Sequence, residues 1–509
     1  MPRCIPWCLL LFLASAGVGS AQTFTNGSAR ILASPTGDDA LAVTVADFNG
    51  DGRSDLYYPG RLLVQGTDGS YRDALLGSAI SVEGNAPLVA LPGDPNADGL
   101  TDLLIVDRQP GSRYYENTNT IRYRLANGER SLNIRTQSIG AAWGNFDGEG
   151  GIDVYVASSD GQNRLFLSSL NDDFTDVSDT KRSQSAAGVC GLAVNDFDHD
   201  LDLDVYLPMC QNNTVNELLE YDSVRDRYNN VANREGVSSF RFSHSAVWFD
   251  YNNDGWDDLF VVNARFDIEN GQNQLFRNDS GTGFTEVAGQ AGLLGSQPEP
   301  RRGVAAADFD NDGWTDLYIS YFETSHRLFR NLGDGTFEDV TRARLPSQPN
   351  TEAFAAADVD DNGWIDLVYH QPEGVTLLMN DGAANWTHLS LRAPGRNRRG
   401  LGARVTVTAG TLTQTKQMTM GGGNPRHAQD ARLHFGLAGN EVIDRIDVVW
   451  QDGTTDVLTD QPVNQELVIS KGGQLNPAPS AFDLLGPEDG AFYDTSAAAI
   501  DLSWGVAQD

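Results

Sequence analysis

Seven short segments carry an oxygen-bearing side chain at positions 1, 3, 5 and 9, a donor set that could share one cation. In chain order these are Asp47, Asn49, Asp51 and Asp55; Asp94, Asn96, Asp98 and Asp102; Asn145, Asp147, Glu149 and Asp153; Asp196, Asp198, Asp200 and Asp204; Asp250, Asn252, Asp254 and Asp258; Asp308, Asp310, Asp312 and Asp316; and Asp358, Asp360, Asn362 and Asp366. Side chains at alternate positions of a tight loop converge because the residues between them turn away. A glycine at position 6 relieves the bend that follows. A carbonyl at position 7 and the carboxylate at position 9 can then complete a shell of six or more oxygens, the preference of Ca²⁺. With no His or Cys at these positions, zinc and copper are disfavoured. Magnesium wants a rigid octahedron and keeps its waters. A solvated Asp/Asn/Gly turn without metal would explain one such loop, but seven point to calcium, up to one ion per loop. Four converged oxygens without a cation repel, so the metal is expected to be needed for folding.

The loops are not equal. The third has Asn145 at position 1 and Glu149 at position 5, a poor fit to the ion. The fourth has Leu201 where glycine is wanted, which penalises a left-handed backbone. The sixth, with four aspartates, should bind best. As extracellular modules the loops should have dissociation constants of about 10⁻⁴ to 10⁻³ M.

An EF-hand needs Glu at position 12 and flanking helices. Position 12 here is Tyr58, Ile105, Val156, Leu207, Val261, Ile319 or Tyr369, and the flanks read as strands. Successive loops start 47, 51, 51, 54, 58 and 50 residues apart, which makes the repeat the primary signal. Each unit also holds two further short runs, such as His326–Asn331 with Thr336–Val340, and Asn273–Asn278 with Phe284–Val287. Four short strands per unit make one propeller blade, and seven blades in a ring leave few open edges. Either the segment Asn385–Leu391 or residues near Phe24 to Ile31 must supply the strand that shuts the ring.

These segments resemble FG-GAP/VCBS repeats, the acidic-loop blades of integrin α heads. The resemblance spans roughly residues 40–390 and implies calcium on one face, stabilising blades rather than performing chemistry. Past the propeller, the run from Asn397 to Val405, then Ala431–Leu437 and Ile443–Gly453, looks like the ASPIC/UnbV module of the cartilage acidic protein family. That family has Pro after the Trp, where Gln451 stands here, and Gly423–Gln429 matches its Gly-rich turn loosely. Leu433, Phe435, Ile446, Val448 and Trp450 are core candidates. Phe482–Gly490 and Ile500–Trp504 resemble the first strands of an immunoglobulin-like or fibronectin-like sandwich. Some thirty residues cannot form that domain, so the sequence is expected to be truncated.

The expected fold is therefore all-β: a signal peptide at 1–21, a seven-bladed propeller at 22–391, a small β-rich domain at 392–472, and a linker with a partial sandwich at 473–509. Arg3, the apolar run Ile5–Val18 and the small residues Gly19-Ser20-Ala21 make the signal. Nothing after it is apolar enough to span a bilayer as a helix. The mature chain should be secreted, extracellular or periplasmic. Cleavage leaves two cysteines, Cys190 and Cys210, ten residues on either side of Asp200, where a hairpin would bring them together as a disulfide.

A net charge of −34 excludes phosphate-neutralising nucleic-acid binding. The histidines (199, 244, 326, 370, 388, 427 and 434) fall in no nucleophile, zinc or kinase motif, and no catalytic residue is assigned. The function expected is binding or adhesion outside the cell, with a glycan or protein partner and no membrane insertion. A propeller-based polysaccharide lyase or hydrolase is the alternative, tested by ultraviolet absorbance on uronic-acid polymers. Arg392, Arg396, Arg398, Arg399 and Arg404 cluster at the domain junction, either to dock the second domain or to hold an anionic polysaccharide; docking is favoured. Glycosylation sequons begin at Asn26, Asn212, Asn278 and Asn385.

Overall fold

A computed structural model of the chain describes residues 22–31, 42–80, 87–107, 111–211, 214–264, 271–295, 301–321, 326–346, 353–371, 374–421, 427–429 and 432–476. The expected signal, the sandwich segment from 477 onward and the sequon at Asn212 lie outside the described residues.

Seven sheets repeat one plan. In blade six, Arg301–Ala307 runs into the acidic loop and Asp316–Tyr321 runs out of it, followed by Arg327–Asn331 and Phe337–Asp339, each antiparallel to its neighbour. The second strand is buried on both faces, and its sequence (Asp-Leu-Tyr-Ile-Ser-Tyr) accordingly places large apolar residues at successive positions rather than alternating them with exposed polar ones. In every blade the position-9 aspartate is the first residue of that strand.

Seven apolar clusters fill the seven gaps between neighbouring blades. The last joins Val43, Leu56 and Tyr58 of blade one to Ala355, Val368 and Leu377 of blade seven, so the packing runs full circle. Side-chain amides reinforce it. Asn278 donates to the Phe197 carbonyl of the preceding blade (2.9 Å), Asn331 to Tyr251 (2.8 Å), Asn380 to Phe309 (2.8 Å) and Gln65 to Val359 (2.7 Å). The ring is shut from the N-terminus: Thr23–Asn26 pairs antiparallel with Gly374–Asp381.

The segment Asn385–Arg392, expected at the end of the propeller in a division at 391, instead belongs to the C-terminal domain. It lies between Leu433–Ala438, antiparallel, and Gln465–Ser470, parallel. Its Leu389 and Leu391 are buried in one cluster with Phe435, Leu437 and Ile469, and that apolar contact draws the strand away from blade seven. A second sheet holds Leu412–Gln417, Arg404–Ala409, Val442–Val449 and Thr455–Pro462. Of the expected core residues, Phe435, Ile446, Val448 and Trp450 are buried, while Leu433 is partly so.

This domain also reaches into the ring. Met420–Gly421 pairs with the innermost strand of blade three, and His427–Gln429 runs parallel to the innermost strand of blade one. Gly421, at φ +85°, sits where a Cβ would meet the Ala141 carbonyl at 2.7 Å, so glycine is required for the approach.

Candidate metal centre

Each loop is shaped by its own donors. Asp308 accepts the N–H groups of Asp312 (3.2 Å) and Gly313 (2.7 Å), and Asp312 accepts that of Trp314 (3.0 Å). Positions 4 and 6 are both left-handed in all seven loops, from Gly50 and Gly52 to Asp361 and Gly363. Leu201 adopts φ +77°, where the other loops have glycine at +80 to +89°. A β-carbon there costs about 1–2 kcal/mol, so Leu201→Gly is expected to stabilise the protein by about 1 kcal/mol, read as a higher urea midpoint with an unchanged slope.

In blades four, six and seven the carboxylates at positions 1, 3 and 9 meet. Asp196, Asp198 and Asp204; Asp308, Asp310 and Asp316; and Asp358, Asp360 and Asp366 each place one oxygen per residue within 4.8 Å of one another. Asp200 and Asp312, at position 5, stand outside these clusters. Buried oxygens of Asp196 (Oδ1), Asp204 (Oδ2), Asp310 (Oδ1) and Asp360 (Oδ1) have no hydrogen-bond partner. In blades one, two and five, position 3 is an asparagine that donates to the position-5 carboxylate, Asn49 to Asp51 (2.7 Å), Asn96 to Asp98 (3.1 Å) and Asn252 to Asp254 (2.8 Å). In the third loop Asn145 is taken up by Gln451, giving and receiving a bond with its side chain and main chain. In the sixth, Arg330 lies on Asp310 (2.6 Å) and Asp312 (2.7 Å).

The position-9 aspartates also brace the backbone. Asp316 accepts the N–H of Phe309 (3.1 Å) with one oxygen and that of Asn331 (2.7 Å) with the other, and Asp258 and Asp366 repeat the pattern. Burial pushes Asp316, Asp258 and Asp366 well above the usual carboxylate range. It raises Asp94 to about 6 and Asp196, Asp250 and Asp358 to about 7. Such carboxylates want either protons or a cation.

The C-terminal domain covers this loop face. His434 Nε2 meets Asn311 Oδ1 at 2.7 Å, the Ala438 N–H donates to the Asn311 carbonyl (2.8 Å), and Gly436 packs so closely that a Cβ would reach Asp308 Oδ2. Arg432 binds Asp361 and Ser54, and Asn397 N–H donates to Gly150. Burial drives His388 and His434 well below their usual value, so both are neutral. The junction arginines divide. Arg396 pairs with Asp172 (2.6 Å), Arg399 reaches Thr101 (3.2 Å) and Arg404 approaches Asp196 (3.6 Å), whereas Arg392 and Arg398 stay exposed.

Residues 145–207, 250–319 and 308–369 match the FG-GAP-like repeat, and residues 393–476 match the ASPIC and UnbV family. This is an FG-GAP repeat propeller followed by an ASPIC and UnbV domain. It is similar to cartilage acidic protein 1 of Mus musculus and of Homo sapiens, at 24% identity over 434 residues and 82% of this chain in both cases. The match spans 62% of the mouse protein and 60% of the human one. The Xenopus tropicalis protein of that name is 30% identical over 127 residues, 24% of this chain and 19% of its own length. Among solved structures, the crystal structure of BBS1N in complex with ARL6DN, soaked with lead, aligns at a TM-score of 0.42 and 11% identity over 71% of this chain and 97% of that one.

Within the FG-GAP propeller, Cys190 and Cys210 are disulfide-bonded across the blade-four hairpin, with a Cα–Cα distance of 5.8 Å. No helix among the described residues is long and apolar enough to cross a membrane. Asn278 is 2% exposed and engaged in the inter-blade bond, so its sequon is closed in the folded protein. The recurring Leu-Phe-Arg-Asn run carries the sequence signal for two of the inter-blade amides, Asn278 and Asn331; Asn380 and Gln65 lie outside any such run. The pairing of Asn145 with Gln451 joins two positions with unusual residues, one in each domain, and neither alone foretells the other.

Proposed function

We propose that the chain is an extracellular binding or adhesion module whose FG-GAP loops hold calcium, with a glycan or protein as partner and no catalytic step of its own. The observation that carries the calcium reading is the set of buried, unpartnered carboxylate oxygens at three loops. Asp196, Asp198 and Asp204, with their counterparts in blades six and seven, would hold the ion. All-oxygen carboxylate donors suit a hard divalent cation. Bound calcium would cancel the repulsion that burial creates. The extracellular placement is supported by the disulfide, by the signal-like N-terminus, and by relatives named for cartilage.

The test is metal counting on the dialysed protein, followed by a glycan and matrix-protein array run with calcium and with chelator. At least three bound calcium ions and partner retention that chelation abolishes are expected. Retention that survives full chelation, or fewer than one ion bound at about 1 mM calcium, would overturn the reading.

A further inference from the structure

A cavity of about 530 Å³ opens between loops one and two of the propeller and the C-terminal domain. Arg53, Arg392, Arg398, Arg399 and Arg432 line it, against three carboxylates, Asp47, Asp94 and Glu466. On a chain of net charge −34 this is an inversion of sign. Docking accounts for part of it: Arg432 is fixed by Ser54 and Asp361 and Arg399 by Thr101, while Arg53 is held within its own blade by Asp51 and the Gln65 carbonyl. It does not account for Arg392 and Arg398, which are exposed at the cavity; the Arg398 guanidinium lies over Gly99, 3.8 Å from where its Cβ would be.

We propose that this cavity binds an acidic sugar unit, its sulfate or carboxylate held by Arg392 and Arg398 beside the fixed guanidiniums of Arg399 and Arg432. The inference deepens the binding-module reading and rests on it. Guanidinium forks match sulfate and carboxylate oxygens two at a time, and a site walled by protein strengthens the pairing. The rest of the lining selects for sugar over a simple anion. Glu466, steadied by Ser390 (2.6 Å), offers an acceptor for ring hydroxyls next to the guanidinium donors. A ligand bearing both anionic groups and several hydroxyls uses both halves of this wall. The volume admits one or two such sugar units.

The experiment is calorimetric titration of the calcium-loaded protein with a sulfated chondroitin tetrasaccharide, its desulfated form, a neutral chitin tetrasaccharide and hexaglutamate. The sulfated tetrasaccharide is expected to bind, more weakly as salt rises. Arg392→Ala with Arg398→Ala should weaken it at least tenfold (about 1.4 kcal/mol). Arg445→Ala, an exposed arginine paired with Asp447, should leave it unchanged. Arg392→Glu alone gives an independent charge reversal should the double variant misfold. Loss on desulfation assigns the anion to sulfate, and retention assigns it to the uronate carboxylate; both support the proposal. No binding of either acidic sugar, binding indifferent to the arginine variants, or equally tight hexaglutamate overturns it. The calcium-induced rise in melting temperature is recorded on the same samples. A normal rise without sugar binding sinks this inference alone, and an absent rise sinks the calcium reading whatever the sugars do.

Discussion

About 10 mM calcium is expected to raise the unfolding midpoint of the chelated protein by roughly 5 °C or more, and Asp310→Asn to remove much of the sixth loop's share while stabilising the chelated form. With dissociation constants of about 10⁻⁴ to 10⁻³ M, each occupied loop adds about 1.4–2.7 kcal/mol at that concentration. Three loops with converged carboxylates are enough to reach the stated shift. In the chelated protein Asp310 has a buried oxygen with no partner, close to the carboxylates of Asp308 and Asp316. An asparagine there can donate to Asp312, as Asn49, Asn96 and Asn252 do to their position-5 carboxylates. One hydrogen bond gained and the repulsion from Asp308 and Asp316 relieved, set against the weakened ion pair with the partly exposed Arg330, amount to about 1 kcal/mol in favour of the chelated variant.

The same carboxylates set the pH response. Asp94 is raised to about 6 and Asp196, Asp250 and Asp358 to about 7 by burial, above their unfolded values. A group raised in this way stabilises the fold while protonated and loses that contribution as pH rises through its folded value. The chelated protein should therefore gain stability from pH 7.5 down toward about 5, and calcium should flatten the slope. Scanning calorimetry at both pH values, with and without chelator, reads all of this. A chelated Asp310→Asn protein less stable than the wild type would show that Asp310 does not stand unsatisfied in the absence of metal.

Asp316→Ala is expected to cost about 3–5 kcal/mol without calcium and, because it also removes a ligand of the sixth loop, about 1.4–2.7 kcal/mol more at about 10 mM calcium. Asp316 is 2% exposed and accepts one backbone N–H from Phe309, inside its loop, and one from Asn331, on the third strand of its blade. Alanine leaves both donors buried and unpaired, at about 1–3 kcal/mol each, before any loss of metal ligation. Urea titrations of the two aspartate variants separate the roles. The Asp310→Asn effect should change sign with calcium and the Asp316→Ala effect should not. An Asp316→Ala penalty that vanished on chelation would make position 9 a metal ligand and nothing more.

Much of the fold was legible because its signals are local. Strand, loop and strand recur in one order, and the apolar runs beside each loop mark strands sandwiched between neighbouring blades. The disulfide was legible for the same reason, since two cysteines equidistant from a hairpin turn face each other. The strand Asn385–Arg392 was not: its alternating residues suit either sheet, and Leu389 and Leu391 go where the larger apolar cluster lies. The five junction arginines read as one patch along the chain, yet they split between ion pairs with the propeller and an open cavity.

The order of residues alone determined the number of blades and the oxygen-only character of the acidic loops, because the repeat and its side chains are written within nine to fifty consecutive residues. Only the tertiary structure decided that the N-terminal strand shuts the ring, that the ASPIC and UnbV domain lies over the acidic loops, and that it sends backbone into the centre to pair with blades one and three. It also decided which carboxylates are left without partners. Those contacts join segments far apart in the chain, 306 residues for Asn145 with Gln451 and 123 for Asn311 with His434, and are chosen by burial and shape at the meeting surfaces, which leave no periodic trace in the chain.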